Sequence, residues 1–143
     1  MTSETLGLTL NQEGVDNIAW NVMGQTYVPK QLTDHSFAWR ATFPAGTFVP
    51  SHSHDEQEEY LYVLEGTLDV DLNGKKTQGN VGDLVRLPRG IPHAFYNNTD
   101  QNVEALFWVA PSADLFNLFI KLDNLSDPEE VVKISREHGI HFV

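Results

Sequence analysis

Three things are scarce or missing in this sequence: cysteine, basic residues and long apolar runs. There is no cysteine among the 143 residues, which excludes a disulfide framework and a thiolate metal site. Only 9 Lys and Arg stand against 20 Asp and Glu, so the net charge is −11. Nucleic acids and anionic membrane surfaces both select clustered Lys and Arg, and the sequence therefore argues against either partner.

The distribution of apolar residues indicates a protein without a membrane anchor. No apolar run approaches the ~18 residues of a membrane helix, and residues 1–15 lack the basic start and apolar core of a signal peptide. We therefore expect a cytoplasmic protein. Because 41% of the 143 residues are hydrophobic, we predict one domain with a substantial core and an acidic surface.

A first candidate site lies in residues 46–66, which read GTFVPSHSHDEQEEYLYVLEG. His52 and His54 are two positions apart, so both point to the same side of an extended strand. Glu59 opens the following strand-like run and can reach the same point from there. Two imidazoles and a carboxylate suit Mn, Fe, Co, Ni or Zn better than Mg or Ca. The many polar residues of 51–59 also fit a solvated loop, so this stretch alone does not define a metal site.

A second stretch, residues 82–97, offers a further ligand. It reads GDLVRLPRGIPHAFYN and contains a short strand, a turn rich in Pro and Gly, and another strand. His93 follows the turn, where a strand can present its side chain inward. We predict that His93 is the fourth ligand, beside His52, His54 and Glu59.

The two stretches together resemble the paired motifs of the cupin superfamily. The first has the pattern G-x5-H-x-H-x4-E-x6-G, and the second has the pattern G-x5-P-x-G-x2-H-x3-N. The matching positions are Gly46, His52, His54, Glu59, Gly66, Gly82, Pro88, Gly90, His93 and Asn97. The resemblance implies an all-β fold, an antiparallel double-stranded β-helix or jelly-roll barrel. It also implies one divalent transition metal ion (Fe, Mn, Ni, Co or Zn) bound by three histidines and one glutamate.

Alternating apolar residues predict strands through most of the chain. In residues 37–43, FAWRATF, every second residue faces the core, while Arg40 faces solvent. Asn73-Gly74 predicts a hairpin turn, because both residues tolerate positive φ. Other strands are predicted at 6–10, at 18–32 (two strands with a turn at Gly24-Gln25) and at 103–109.

Beyond Pro111 the hydrophobic period changes to that of a helix. Ser112 can cap a first helix, and its apolar stripe comprises Leu115, Leu118, Phe119 and Leu122, widened by Phe116 and Ile120. Asp127 and Pro128 predict the start of a second helix, which Gly139 ends. Residues 140–143 either return as a strand or pack on a neighbour.

We therefore divide the chain into two parts. Residues 1–111 form a cupin domain that carries the metal motifs 46–66 and 82–97, and residues 112–143 form a helical extension packed on the barrel or on a dimer. A homodimer is expected because Tyr60, Tyr62 and Leu64 form an apolar outer face that needs cover.

The alternation of side chains along a strand also predicts the residues that surround the expected metal. Glu58 is opposite in parity to Glu59 and should point outward, and Asn97 should bond to the backbone of the loop that follows it. An apolar pocket above the metal is expected from Trp39, Phe48, Leu61, Val63, Phe95 and Phe107. His35, His138 and His141 are expected to lie outside the site.

Three sequence segments resemble those of small quercetin 2,3-dioxygenase-like cupins: EYLYVLEG, LPRGIPHAFYN and EHGIHFV. This resemblance implies a metal-dependent dioxygenase that combines O2 with a small aromatic, flavonol-type or enol-type substrate, with Glu59 as the catalytic base. The alternatives are a redox-neutral isomerase, lyase or cyclase and a non-enzymatic binder of small ligands. Because the same metal site serves all of them, oxygen consumption is the property that separates the first from the others.

Overall fold

The computed structural model describes residues 4–143 and contains two antiparallel β-sheets, a short 3-10 helix and two α-helices. The strands are β1 (Trp20–Val22), β2 (Gln25–Leu32), β3 (Phe37–Phe43), β4 (Phe48–His54), β5 (Glu58–Glu65), β6 (Leu68–Leu72), β7 (Lys75–Gly79), β8 (Leu84–Leu87), β9 (His93–Tyr96), β10 (Val103–Ala110) and β11 (Ile140–Phe142). The 3-10 helix is Val15–Asn17, and the α-helices are α1 (Leu115–Leu122) and α2 (Pro128–Glu137).

The two sheets form a jelly-roll sandwich. The six-stranded sheet has the order β1-β2-β3-β10-β5-β8, and the five-stranded sheet has the order β11-β4-β9-β6-β7. Within residues 4–143 no strand pair joins the two sheets, so they face each other across the core without closing into one continuous ladder. The predicted all-β, antiparallel jelly roll with a helical C-terminal extension is confirmed.

The core lies between the sheets, where alternating side chains meet. β3 and β10 pair in register from Phe37↔Val109 to Phe43↔Val103, and both strands alternate buried and half-buried residues as predicted. On their inner faces the rings of Trp39 and Phe107 stack at a centroid distance of 5.4 Å. Phe95 from the opposite sheet packs edge-on against Phe107 at 5.2 Å. These contacts hold the sheets together through apolar burial.

The first hairpin turns one residue earlier than predicted. Met23 and Gly24 occupy the turn with φ of 52° and 84°, the left-handed conformation that two-residue hairpins require. Gln25 is already the first residue of β2. Its side chain is buried, and its amide donates hydrogen bonds to the carbonyls of Met23 at 3.1 Å and Phe48 at 3.2 Å, which fixes it in the strand.

Residues 6–10, predicted as an edge strand, do not form one. Leu6 is 97% exposed and Leu8 is 84% exposed. Side-chain hydrogen bonds hold the segment beside β2; for example, the hydroxyl of Thr9 donates to the carbonyl of Lys30 at 2.6 Å. Such bonds satisfy the edge of the sheet without a backbone ladder, so the alternation of leucines is not used for burial.

The helix α1 covers the aromatic end of the core. Phe116 and Phe119 contact Trp20 at centroid distances of 5.0 and 5.6 Å, and the predicted stripe is buried. Two details of the prediction are wrong. Ile120 is 50% exposed, and Ser112 is not the cap, because the helix begins two residues later and the Ser112 hydroxyl donates to the carbonyl of Asp34 at 2.9 Å.

The helix α2 begins and ends as predicted. The carboxylate of Asp127 accepts a hydrogen bond from the backbone N–H of Glu129 at 3.0 Å, and Pro128 follows the cap. Gly139 ends the helix with φ of 79°. The chain then returns as β11, which pairs with β4, so the strand alternative for residues 140–143 is the one observed. Among residues 4–143, no helix is long and apolar enough to cross a membrane.

Candidate metal centre

Three strands from both sheets position the four predicted ligands. His52 and His54 lie on β4, and both side chains are buried on its inner face. His93 on β9 is the register partner of His52 in the same sheet. Glu59 reaches the same point from β5 in the opposite sheet. The site therefore forms only when the sandwich is assembled.

An irregularity in β4 aims the histidines inward. Val49 pairs with Phe95 and His52 pairs with His93, so β4 carries one residue more than β9 between these pairs. This is a β-bulge, which re-aims the side chains that follow it. Pro50 lies in the extra stretch, where the missing N–H is tolerated. The bulge lets both Val49 and His52 face the interior, although strict alternation would place them on opposite sides.

The four side chains converge on one point. One ligand atom from each of His52, His54, Glu59 and His93 lies within 4.8 Å of the other three. The Oε1 of Glu59 is 3.0 Å from Nε2 of His54 and 3.1 Å from Nε2 of His93. All four residues are at most 6% exposed. Glu58, by contrast, points outward and forms an ion pair with Arg86, as its parity predicts.

Hydrogen bonds fix the orientation of two of the rings. Nδ1 of His52 is 2.8 Å from the carbonyl oxygen of Pro50, and Nδ1 of His54 is 2.8 Å from Oε1 of Gln57. Both partners are oxygen acceptors, so both rings carry their proton on Nδ1. Their Nε2 lone pairs are then free to face the centre, which is the arrangement that metal-binding histidines usually have.

Gln57 is a functional residue that the sequence analysis missed. Its side chain is 3% exposed, and its amide nitrogen donates to the carbonyls of Pro111 at 3.2 Å and Ser112 at 2.7 Å. It thus ties His54 to the segment that precedes α1. A glutamine in a run of polar residues gave no signal of this role, because its partners lie 54 and 55 positions further along the chain.

The donor set fits a divalent transition metal. Nε2 of His54 is buried and has no hydrogen-bond partner of acceptable geometry, although it lies 3.0 Å from Glu59. A buried nitrogen without a partner is costly, and a metal ion would satisfy it. Three imidazoles and one carboxylate form a mixed nitrogen and oxygen set of the kind that binds Fe, Mn, Co, Ni or Zn.

Burial and mutual charge set the protonation of the cluster without metal. Burial raises the pKa of Glu59, but the charge of the neighbouring His54, together with the hydrogen bond and charge of His93, outweighs burial and holds the pKa well below its usual range. Burial also lowers the pKa of His54, but Glu59 reverses this effect and the net pKa is raised. Burial, followed by the neighbouring His93 and His54, lowers the pKa of His52 to about 3. An ionised Glu59 and a neutral His52 are the protonation states that metal binding requires.

A small, mostly apolar cavity adjoins the cluster and is lined by His52, His54 and Glu59 but not by His93. Its volume is about 50 Å³, which is room for a few waters. Its lining includes Trp39, Phe95 and Phe107, as predicted, and Tyr27, Leu115, Leu118 and Phe119, which were not predicted. The helical stripe was visible in the sequence, but nothing there indicated that it docks over the histidines.

Some predicted lining residues lie elsewhere. Phe48 is 50% exposed and its ring stacks on Tyr96 at 5.9 Å, because it precedes the bulge and its parity is opposite to that of Val49. Leu61 and Val63 are fully buried on the side of β5 that carries Glu59, but they do not line the cavity.

The remaining polar predictions concern Asn97, the histidines outside the site and Arg40. The amide of Asn97 donates to the carbonyls of Phe43 at 2.8 Å and Gln101 at 2.7 Å, so the expected bond to the following loop is confirmed. His141 and His138 lie outside the site, and Nε2 of His141 is 2.8 Å from the carboxylate of Asp55. Arg40 forms a half-buried ion pair with Glu104 at 3.2 Å on the outer face, as expected for a residue that points to solvent.

Two antiparallel sheets with three histidines and one glutamate between them define a jelly-roll protein with a candidate mononuclear metal centre. The chain belongs to the cupin superfamily: residues 39–109 match the family model described as Cupin domain. That match contains all four residues of the cluster, so the family assignment and the geometry point to the same site.

Several curated proteins are similar in sequence. The polyketide synthase CurC of Streptomyces cyaneus is 31% identical over 77 residues, which cover 54% of this chain and 50% of CurC. The acireductone dioxygenase of Saccharomyces cerevisiae is 29% identical over 139 residues, which cover 90% of this chain and 77% of the yeast protein. This chain spans about half the length of CurC and of the SchB protein of Streptomyces halstedii.

Solved structures show the same fold. KdgF from Halomonas superposes with a TM-score of 0.70 at 20% identity, covering 78% of this chain and 99% of KdgF. The polyketide cyclase RemF from Streptomyces resistomycificus superposes with a TM-score of 0.65 at 20% identity, covering 76% of this chain and 81% of RemF. At this level of identity the likeness is evidence for the fold alone.

Proposed function

We propose that this protein is a metal-dependent dioxygenase that acts on a small enol-type substrate. The observation that carries the proposal is the buried cluster of three histidines and one glutamate beside a small, mostly apolar cavity of about 50 Å³. His52, His54, Glu59 and His93 would hold the metal. A divalent metal bound there supplies Lewis acidity and open positions for an enol oxygen and O2.

Within this proposal Glu59 has a second role as the base. Its carboxylate is ionised in the metal-free protein, because His54 and His93 hold the pKa far below its usual range. Oε1 of Glu59 lies within 3.1 Å of Nε2 of both His54 and His93, so a hydroxyl held among these residues would lie close to this oxygen. Glu59 would accept the enol proton and hold it at Oε1.

The size of the cavity favours an enol-type substrate over a flavonol. Sites for drug-sized ligands usually enclose about 300–1,000 Å³. The space beside His52 and His54 is about 50 Å³, and Tyr27, Trp39 and Phe119 are among the residues that line it. A flavonol ring system does not fit in this space, whereas an enol head of a few atoms does.

The comparisons support this class without defining a substrate. Besides the acireductone dioxygenase, the quercetin 2,3-dioxygenase of Bacillus subtilis is 34% identical over 50 residues, which cover 35% of this chain and 15% of the Bacillus protein. Both relatives are named for reactions that consume O2. The match to the yeast protein covers 90% of this chain and the match to the Bacillus protein covers 35%.

A redox-neutral cyclase is the second candidate, and a specific observation favours it. CurC and the tetracenomycin polyketide synthase protein TcmJ are named for polyketide synthesis, and RemF is named as a polyketide cyclase. The same cluster can stabilise an enolate during cyclisation, isomerisation or elimination, so its geometry does not separate these reactions from oxygenation.

The test combines metal analysis with oxygen uptake. The protein is reconstituted separately with Fe, Mn, Co, Ni and Zn, and O2 consumption is recorded with a panel of small enols while products are followed by mass spectrometry. His93→Ala is the control without an intact site. Metal-dependent uptake with two oxygen atoms in the product supports the dioxygenase. Turnover without O2 supports the cyclase, tight binding without product indicates a binder, and the absence of bound metal in every reconstitution refutes the site.

A further inference from the structure

A second concave site lies outside the metal cavity. It is a groove of about 780 Å³ between the β1–β2 turn, the start of β4 and the helix α2. We call it the outer groove; the side chains that matter here are Met23, Phe48, Leu125, Ser126, Val132 and Phe142. Its volume is within the range of sites that bind small organic molecules.

The chemistry of the outer groove selects a neutral apolar ligand. None of its described lining residues is Asp, Glu, Lys or Arg, although the whole chain carries a net charge of −11. Phe48 at 50% exposure is one of the large apolar side chains that this groove leaves in contact with water. Concave apolar surface of this extent usually marks a binding site.

Two residues separate the outer groove from the metal cavity. Met23 and Phe142 line both spaces, and we call this pair the gate. The ring of Phe142 lies 5.4 Å from the ring of the ligand His52. Met23 occupies the tip of the first hairpin and has a flexible, unbranched side chain, and Phe142 belongs to β11 at the edge of its sheet. Rotation of these two side chains would join the two spaces.

We propose that the outer groove binds the apolar part of an elongated substrate, an alkyl or aryl group, while its enol head passes the gate to reach the metal. The placement of the enol head at the metal rests on the proposed function. The placement of the apolar tail rests on the outer groove itself. It explains how a metal cavity of about 50 Å³ can serve a substrate larger than a few atoms. It also makes the outer groove the part of the protein that selects among substrates.

Two hydroxamic acids separate the head from the tail. Acetohydroxamic acid and octanohydroxamic acid share one metal-chelating head and differ by six methylenes. Binding of each to the zinc-loaded protein is measured by calorimetry. Each buried methylene tightens binding by about fourfold, so we expect octanohydroxamic acid to bind at least about a hundredfold more tightly.

Variants of the protein show whether the alkyl chain of octanohydroxamic acid binds in the outer groove. Val132→Asp places a charge in the outer groove, and Ser126→Trp fills the groove from an exposed loop position. Both should remove most of the gain from the longer chain while leaving acetohydroxamic acid binding unchanged. Val81→Asp makes the matched change at a position that is 63% exposed and outside the groove, and should preserve the gain. If acetohydroxamic acid binds but the longer chain gives no gain, or if the gain survives both groove variants, the inference is overturned.

A separate measurement distinguishes failure of the groove from failure of the proposed function. The neutral fluorescent dye Nile red is titrated into the metal-free protein. Binding that Val132→Asp weakens and Val81→Asp does not supports the groove, even when neither hydroxamic acid binds the zinc-loaded protein. If neither hydroxamic acid binds the zinc-loaded protein, the metal-based function alone is refuted. If the dye does not bind, the groove is refuted.

Discussion

Replacing Gln57 by methionine removes three hydrogen bonds without a large change of volume. Oε1 of Gln57 accepts the Nδ1 proton of His54 at 2.8 Å, and its amide donates to the carbonyls of Pro111 and Ser112. Methionine is close in length and shape but offers neither an acceptor of comparable strength nor a donor. The substitution thus isolates the polar contribution of this buried side chain.

The expected loss follows from the groups that are left without a partner. The carbonyl of Ser112 also accepts a hydrogen bond from the backbone N–H of Leu115 at 3.3 Å, so it keeps one partner in the variant. The Nδ1–H of His54 and the carbonyl of Pro111 lose their partner, at about 1–3 kcal/mol each. We expect the free energy of unfolding of the metal-free protein to fall by about 2–6 kcal/mol. The metal affinity should fall by about 10–100-fold, as for other partners of metal-binding histidines.

A second variant separates the two effects. Gln57→Glu keeps an oxygen acceptor for His54 but places a carboxylate against the carbonyl oxygens of Pro111 and Ser112. It should therefore lower stability while leaving metal affinity near the wild-type value. Urea unfolding of the metal-free protein and titration against a competing chelator measure the two quantities, with Gln78→Met at an exposed strand position as control. Metal affinity of Gln57→Met within twofold of wild type would refute the reasoning.

Three other predictions test the ligands, the protonation of the cluster and the outer face. His93→Ala should weaken metal binding by more than ~100-fold, the upper range for outer partners, and leave the far-ultraviolet spectrum intact; full metal content by mass spectrometry would reject His93 as a ligand. The pKa of His52 is about 3 in the folded chain, below its ordinary 6.5, so only the unfolded chain takes up this proton as pH falls between these values. The free energy of unfolding of the metal-free protein should thus fall by up to about 1.4 kcal/mol per pH unit in that window through this group. Urea titrations of His52→Gln should lack this contribution. If wild type and His52→Gln show the same slope of unfolding free energy against pH, the prediction is contradicted. Light scattering should report a dimer that Tyr62→Lys converts to a monomer and Val81→Lys does not, because Tyr62 is 40% exposed on the apolar outer face of β5; a monomeric wild type would reject this interface.

The convergence of the four cluster residues was predictable because the sequence encodes it by local spacing. His52 and His54 share a strand face, Glu59 opens the next strand, and His93 follows a turn, and the structure brings these four together. The alternation of β3 and the caps of α2 were predictable for the same reason, since both depend on neighbouring residues. Patterns of this kind need no knowledge of distant contacts.

The errors arose where a distant contact decides the outcome. The bulge in β4 depends on pairing with β9, and it places Phe48 outside and Val49 inside. Ser112 has the right chemistry for a helix cap, but the carbonyl of Asp34, 78 positions away, takes its hydroxyl. Patterns of neighbouring residues do not reveal these distant strand and hydrogen-bond partners, and such tertiary contacts override local preference.

Several residues beside the candidate metal centre lie outside the stretch that defines the family. All four residues of the cluster fall within 39–109. The carbonyls that hold Gln57, the helix α1 that walls the cavity and the Phe142 ring beside His52 all belong to residues 110–143. Because a fold can keep its ligands while its surroundings change, the proposed function assigns the metal chemistry and the substrate size to different parts of the chain. A cupin with the same four ligands and a shorter extension should therefore bind the same metals but admit bulkier substrates directly.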